Sequence, residues 1–139
     1  MKGRVLAIDY GTKRIGLAIC DALRVTTRPF GVLTRERLDL DLARLAKIAE
    51  EEGIEEIVIG LPRNADGSSG PMVAVVEEFA AALEKEVPMR LHFMDETYSS
   101  LEADEVLRRR FRDPKKRKEM RDAYAAVVIL QAWLDHYGR

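Results

Sequence analysis

Asp9 closes an unbroken apolar run, Val5 to Ile8, whose β-branched members mark a strand covered on both faces, so a carboxylate emerges where a buried strand meets solvent. Asp95 and Glu96 follow the apolar stretch from Leu91 in the same way, and Asp122 shares a helical stripe with Ala126, Ile129 and Trp133. Carboxylates gathered without thiolates or imidazoles suit a hard divalent cation, Mg²⁺ or Mn²⁺. The chain's two histidines, His92 and His136, cannot build a zinc site alone. Such a set of like charges is costly unless a cation neutralises it. An isolated Asp-x-Gly, as in Asp9-Tyr10-Gly11, more often starts a turn by capping backbone amides. The chemistry therefore requires a fold that brings the carboxylates together. Alternation puts Asp95 and Glu96 on opposite faces, so only one of them can join Asp9, and the spacing does not say which.

Opposite charge is concentrated nearby. Nine basic and two acidic residues lie between Arg108 and Arg121, a local +7 in a chain whose net charge is −1. Arg108, Arg109, Arg110, Arg112, Lys115, Lys116, Arg117, Lys118 and Arg121 are the expected path for a nucleic-acid backbone, with Phe111 among them. The bland alternative is a solvated helix end. Lys13 and Arg14, in the turn after Asp9, are placed to meet a phosphate at the carboxylates themselves.

The elements that must position these residues follow from periodicity. Gly11 and Gly16 bracket a tight turn that returns the chain through Ile15 to Cys20, and Pro29 to Leu33 reads as a third antiparallel strand. Leu38, Leu42, Leu45 and Ala49 predict a helix stopped by Gly53, its charges forming a solvated face. A strand over Ile54 to Ile59, a polar loop from Arg63 to Gly70, and a helix beginning at Pro71 come next. That helix should bury Met72, Val75, Val76, Phe79, Ala80 and Leu83. The last strand reaches Asp95, and Ser99 to Glu102 spells a capping box for a further helix. Asp113-Pro114 should break that helix, with the final one resuming after Lys115 to Lys118. The resulting architecture is α/β: a five-stranded mixed sheet, three antiparallel strands then two parallel, with helices on both faces. Ligands of such sheets bind beyond the strand carboxyl ends.

At 139 residues and 47% hydrophobic, the chain is expected to be one domain with an adequate core and no disulfide, its single Cys20 acting as a buried hydrophobe. There is no apolar run of the roughly 20 residues that a membrane span needs, so a soluble, cytoplasmic protein is expected.

Asp9-x-Gly11-x-x-Arg14-x-Gly16-x-Ala18 resembles the opening motif of the YqgF/RuvX family, ribonuclease H-like proteins named as pre-16S rRNA nucleases or Holliday junction resolvases. Gly60-Leu61-Pro62, Asp95-Glu96-Thr97 and Asp122-x-x-Ala125-Ala126-x-x-Ile129-Leu130-Gln131 match three later family blocks, and together the four span nearly the whole chain. Thr97 departs from the family's arginine. The resemblance implies a ribonuclease H-like nuclease domain over residues 1–139. It selects Glu96 over Asp95, making Asp9, Glu96 and Asp122 the catalytic metal ligands. Two Mg²⁺ or Mn²⁺ ions about 4 Å apart, bridged by Asp9, would then activate water and stabilise the attacking and leaving oxygens of a phosphodiester. The resemblance further implies 5′-phosphate and 3′-hydroxyl products. The expected activity is processing of the 5′ end of pre-16S rRNA. Holliday junction resolution, by a monomer or homodimer, is the alternative, and a non-catalytic nucleic-acid-binding module is a third. The Asp-x-Gly hairpin also resembles the phosphate-binding hairpin of sugar kinases and actin-like ATPases, but those close a nucleotide between two such domains and this chain has length for one.

Overall fold

Residues 3–62, 70–95 and 99–138 are described by a computed structural model. Five strands, β1 (Arg4–Tyr10), β2 (Arg14–Cys20), β3 (Thr27–Thr34), β4 (Ile54–Leu61) and β5 (Arg90–Asp95), form one sheet in the order β3-β2-β1-β4-β5. β1 to β3 are antiparallel neighbours, while β1, β4 and β5 run parallel, as expected of strands joined through helices. Pro29 is tolerated because β3 is an edge strand, and the register slips between Leu17 and Ala18 opposite it.

Alternation sorts the sheet into two unlike faces. Leu6, Ile8 and Tyr10 of β1 and Ile57, Ile59 and Leu61 of β4 pack under α1 (Leu38–Glu51) and α2 (Pro71–Glu86). Each Leu or Ile so buried contributes about 1.5–3 kcal/mol. On the other face Val5, Ala7, Ala18, Cys20 and Val58 meet Ala126, Ile129, Leu130 and Trp133 of α4 (Pro114–Trp133). Most of these sheet residues are small, and α4 lies close. Leu107, near the end of α3 (Ser99–Arg110), joins this second core. Burial raises the Cys20 thiol above its ordinary pKa, and its sulfur accepts from Val5 N at 3.2 Å, in keeping with an inert role.

Helix ends and faces depart from the sequence expectations in three places. Gly53 does stop α1, at φ 64, and a Cβ there would meet nothing, so the requirement is conformational. The charges of α1 are not all solvated: Asp41 is buried, accepting from Glu36 N at 3.1 Å and from Arg44 at 2.6 Å, which ties the first turn to the chain entering it. In α2 the expected core positions Val76, Phe79, Ala80 and Leu83 are buried, but Val73 joins them in place of Met72, which is half-buried, and Val75, which is 38% exposed. α4 begins at Pro114 rather than after Lys118. Pro114 occupies the first turn, where its missing N–H costs nothing, and the Asp113 carboxylate caps Lys115 N at 3.0 Å. Lys115 to Lys118 are therefore its first turn. Among the described residues no helix is long and apolar enough to cross a membrane.

At the end of the sheet where β1 begins, Glu56 accepts from Arg24 at 2.6 Å and pairs with His92 Nε2 at 2.9 Å. Burial alone would raise the Glu56 carboxyl, but these two hydrogen bonds and their positive charge hold it below the usual 4.5. A carboxyl depressed in the folded state contributes stability above its unfolded pKa and loses it as pH falls through the folded value. Stability measured by urea unfolding should therefore drop as pH falls below about 4.5, and Glu56→Gln should flatten that limb. At neutral pH the same variant should lose roughly 1–3 kcal/mol, because the enclosed Arg24 guanidinium exchanges a charged acceptor for a neutral amide.

Candidate active site

Asp9 lies on the α4 face of β1, in alternation with Val5 and Ala7. Its cross-strand neighbour is Gly16. A Cβ at Gly16 would overlap the carbonyl oxygen of Asp122, so the α4 backbone rests directly on this glycine. Asp9 and Asp122 are thereby brought to one place, across the single sheet position that carries no side chain. Arg14, two residues before Gly16 on the same strand face, donates from Nε to Asp122 Oδ2 at 2.8 Å. Asp122 is thus ion-paired within the chain, and Arg14 is engaged with it instead of standing clear for a phosphate.

Asp95 is not part of this cluster. It is aligned with Leu61 in the parallel register, and Leu91 of the same strand packs on the α1–α2 side, whereas Met94 packs on the α4 side. Asp95 therefore belongs to the face opposite Asp9. Glu96 and Thr97 lie outside the described residues, as does the loop 63–69. Among the described residues no three His, Cys, Asp or Glu side chains come together as a metal site. Asp9 and Asp122 are nevertheless suitable donors for a hard divalent cation, being oxygen-only, and the guanidinium on Asp122 marks where positive charge is favoured.

The turn carrying Lys13 and Arg14 is clamped by a residue that the sequence did not point to. Arg35 donates to the carbonyls of Gly11 at 2.9 Å and Thr12 at 3.0 Å, its own amide donates to Lys13 O at 2.8 Å, and its guanidinium lies 4.3 Å from the Tyr10 ring centroid. Tyr10 in turn stacks on Phe79 of α2, with centroids 3.9 Å apart. Burial pushes the Tyr10 hydroxyl up, against the lowering effect of Arg35. Nothing local to Arg35 signals this role; it arises from pairing of β2 with β3.

The basic segment divides. Arg108, Arg117, Lys118 and Arg121 converge with Leu107 around a cavity of about 380 Å³ where α3 meets α4. Lys118 stands one turn before Asp122, so this cavity adjoins the carboxylates. Arg109 instead pairs with Glu105 at 3.2 Å along α3, and Arg110, Arg112, Lys115 and Lys116 are exposed without lining the cavity. Lys13 is exposed on the turn. Phe111 packs edge-on against Tyr124, centroids 6.2 Å apart, and anchors the α3–α4 connection rather than offering a face to a base. Arg108 to Arg110 suit the C-terminal turn of α3, but Lys115 to Lys118 place cations at the positive end of α4, where each costs about 0.3–1 kcal/mol.

The family described as RuvX, Holliday junction resolvase, matches residues 3–136. The chain belongs to this family. A Koribacter versatilis protein named "Putative pre-16S rRNA nuclease" is 44% identical over 136 residues, covering 98% of this chain and 89% of that protein. A Moorella thermoacetica protein of the same name is 39% identical, covering 98% and 97%. Among solved structures, Thermus thermophilus RuvC superposes with a TM-score of 0.62 at 12% identity, over 96% of this YqgF/RuvX chain and 95% of that one. T. thermophilus RuvC in complex with a Holliday junction substrate gives 0.59 at 17% identity, over 97% and 96%. The fold is thus ribonuclease H-like.

Gly16→Ala tests the seat of α4. The added methyl must push the helix backbone off β2, so unfolding in urea should show a loss of about 1–3 kcal/mol or more. Any divalent cation held jointly by Asp9 and Asp122 would bind more weakly in this variant by calorimetry, because the helix carrying Asp122 is displaced from the strand carrying Asp9.

Proposed function

We propose that this YqgF/RuvX chain is a divalent-metal-dependent endonuclease acting on nucleic-acid phosphodiesters, and that its substrate is the 5′ region of pre-16S rRNA. The observation that carries the reading is the meeting of Asp9 and Asp122 across Gly16, one helical turn from a cavity lined by four basic side chains. The names of relatives about 40% identical over nearly the full chain support the choice of RNA.

Asp9, Asp122 and, by the family motif, Glu96 are the residues that would hold Mg²⁺ or Mn²⁺, as one ion or two. A bound divalent cation supplies charge for the attacking and leaving oxygens of a phosphodiester. Phosphates flanking the scissile one are held by Arg108, Arg117, Lys118 and Arg121, and by Lys13 on the opposite side of the carboxylates. Arg110, Arg112, Lys115 and Lys116 extend the positive field outward and speed encounter, while Arg109, paired along α3, contributes least. Arg14 holds the Asp122 carboxylate in place through its Nε hydrogen bond.

A second reading, cleavage of branched DNA, draws on the family's description and on the shared RuvC fold. Incubating a precursor rRNA leader and a four-way DNA junction side by side with Mg²⁺ or Mn²⁺ separates the two. Preferred cleavage of the junction would overturn the RNA assignment, and cleavage of neither, with binding retained, would leave a non-catalytic module. Asp9→Asn, Glu96→Gln and Asp122→Asn should each lower the cleavage rate by at least about 100-fold, since even outer-shell partners of a metal cost 10–100-fold. Asp95→Asn should remain within a few-fold of the parent.

The cavity residues should also govern the salt dependence of binding. Replacing Arg117 and Lys118 with Ala should reduce the log-log slope of affinity against salt by roughly two, about one for each phosphate no longer neutralised. Replacing Arg109 should leave the slope unchanged. Equal effects from both changes would mean that the cavity has no special part in binding.

A further inference from the structure

Three irregularities far from Asp9 converge on one cavity. Arg24 is the only described non-glycine residue at positive φ, 59°, a strained conformation that persists where surroundings enforce it. Its side chain is enclosed, donating to Gly3 O at 2.9 Å and to Glu56 at 2.6 Å, with the guanidinium 5.8 Å from the Trp133 ring centroid. At Trp133 the α-helix gives way to a π-helical turn, Leu134–Gly138, a form found mostly as short insertions at functional places. That turn carries Tyr137, which is 73% exposed, and beside it Phe93 of β5 is 44% exposed. Arg24, Glu56, His92, Phe93, Trp133 and Tyr137 surround about 350 Å³.

We propose that this cavity is a stacking site for one unpaired nucleobase of the substrate strand. The inference rests on the nuclease reading above and names the kind of strand it prefers. Tyr137 leaves a large aromatic face in water beside the buried Trp133, ring centroids 6.3 Å apart, which is what a stacking platform requires and a closed core does not. The wall is polar where a base edge is polar: Glu56 accepts, Arg24 donates, and His92, held by Glu56 and lying 4.9 Å from Trp133, fixes their arrangement. The volume is at the low end of ligand cavities, roughly 300–1,000 Å³, enough for a heterocycle and too little for duplex.

Position links the cavity to the chemistry. Trp133 follows Asp122 by eleven residues of α4, close to three turns, so both occupy one stripe about 16 Å apart. A single strand cut at Asp9 and Asp122 would reach the cavity a few nucleotides away, whereas the paired arms of a junction keep their bases stacked inside the duplex. The unpaired flank of a precursor RNA matches both demands.

Trp133 is the chain's only tryptophan, so its fluorescence reports directly on the cavity. Titrating the full chain with a short unstructured RNA should quench it, and the same RNA annealed to its complement should not. Phe93→Ala/Tyr137→Ala should abolish the quench and weaken single-strand binding by about 5- to 100-fold, the span expected for the removal of one base stack. Duplex binding and Mn²⁺ affinity should not change, and Tyr137→Phe should retain the response. Unchanged single-strand affinity in the double variant, or equal quenching by duplex, would overturn the proposal while leaving the nuclease reading intact. Self-association abolished in the double variant with RNA binding unaffected would assign the cavity to a second copy of the chain and likewise overturn it. Failure to bind any nucleic acid would remove both.

Discussion

The close approach of the α4 backbone at Asp122 to Gly16 is the constraint on which the remainder depends. A helix normally rides on a sheet at the distance its side chains dictate. Here it descends until its backbone meets a strand, possible because Gly16 has no side chain and its neighbours on that face are Ala7, Ala18 and Cys20. The closeness sets the helix residue Asp122 next to the strand pair of Asp9 and Gly16. The opposite face, built of Leu6, Ile8, Ile57 and Ile59, has no such demand and packs α1 and α2 through bulkier side chains.

Electrostatic cost follows from that placement. Two carboxylates brought together need positive charge, and Arg14 provides it at 2.8 Å from within the same strand face. The opposite arrangement occurs one turn away, where Lys115 to Lys118 crowd the positive end of α4 against the helix dipole. Neither arrangement favours stability. In the proposed function a divalent cation would offset the first and a phosphate chain the second. Elsewhere charge is answered inside the chain, as where buried Asp41 accepts from Arg44 at 2.6 Å.

α4 therefore has two working ends. Its first turns present cations and Asp122, its core stretch of Ala123 to Leu130 is buried against the sheet, and its last turn loosens into the π-helical segment carrying Tyr137. Rigidity in the middle fixes the spacing between the two ends.

Periodicity and turn chemistry determined the sheet, its antiparallel-then-parallel order, and a helix on each side, because each of those signals is carried by residues a few positions apart. The stripe shared by Asp122 with Ala126, Ile129 and Trp133 told that this carboxylate faces the sheet, and alternation told that only one of Asp95 and Glu96 could join Asp9, while the sheet's register excluded Asp95. The Asp113-Pro114 pair was legible as punctuation but read as a break, since a run of cations is a poor start for a helix; in the folded chain the cap and the proline outweigh it. Likewise Val73 replaced Met72 and Val75 in the core, because α2's rotation on the sheet is set by partners the helix does not contain. Only the tertiary structure decided that Gly16 is the seat of α4, that Arg35 clamps the Gly11 turn, that four of nine clustered cations share a cavity while Phe111 turns inward, and that Arg24, Glu56 and His92 form one network. Each of these depends on side chains from different elements meeting at a given distance, and a linear sequence records spacing along the chain but not across it.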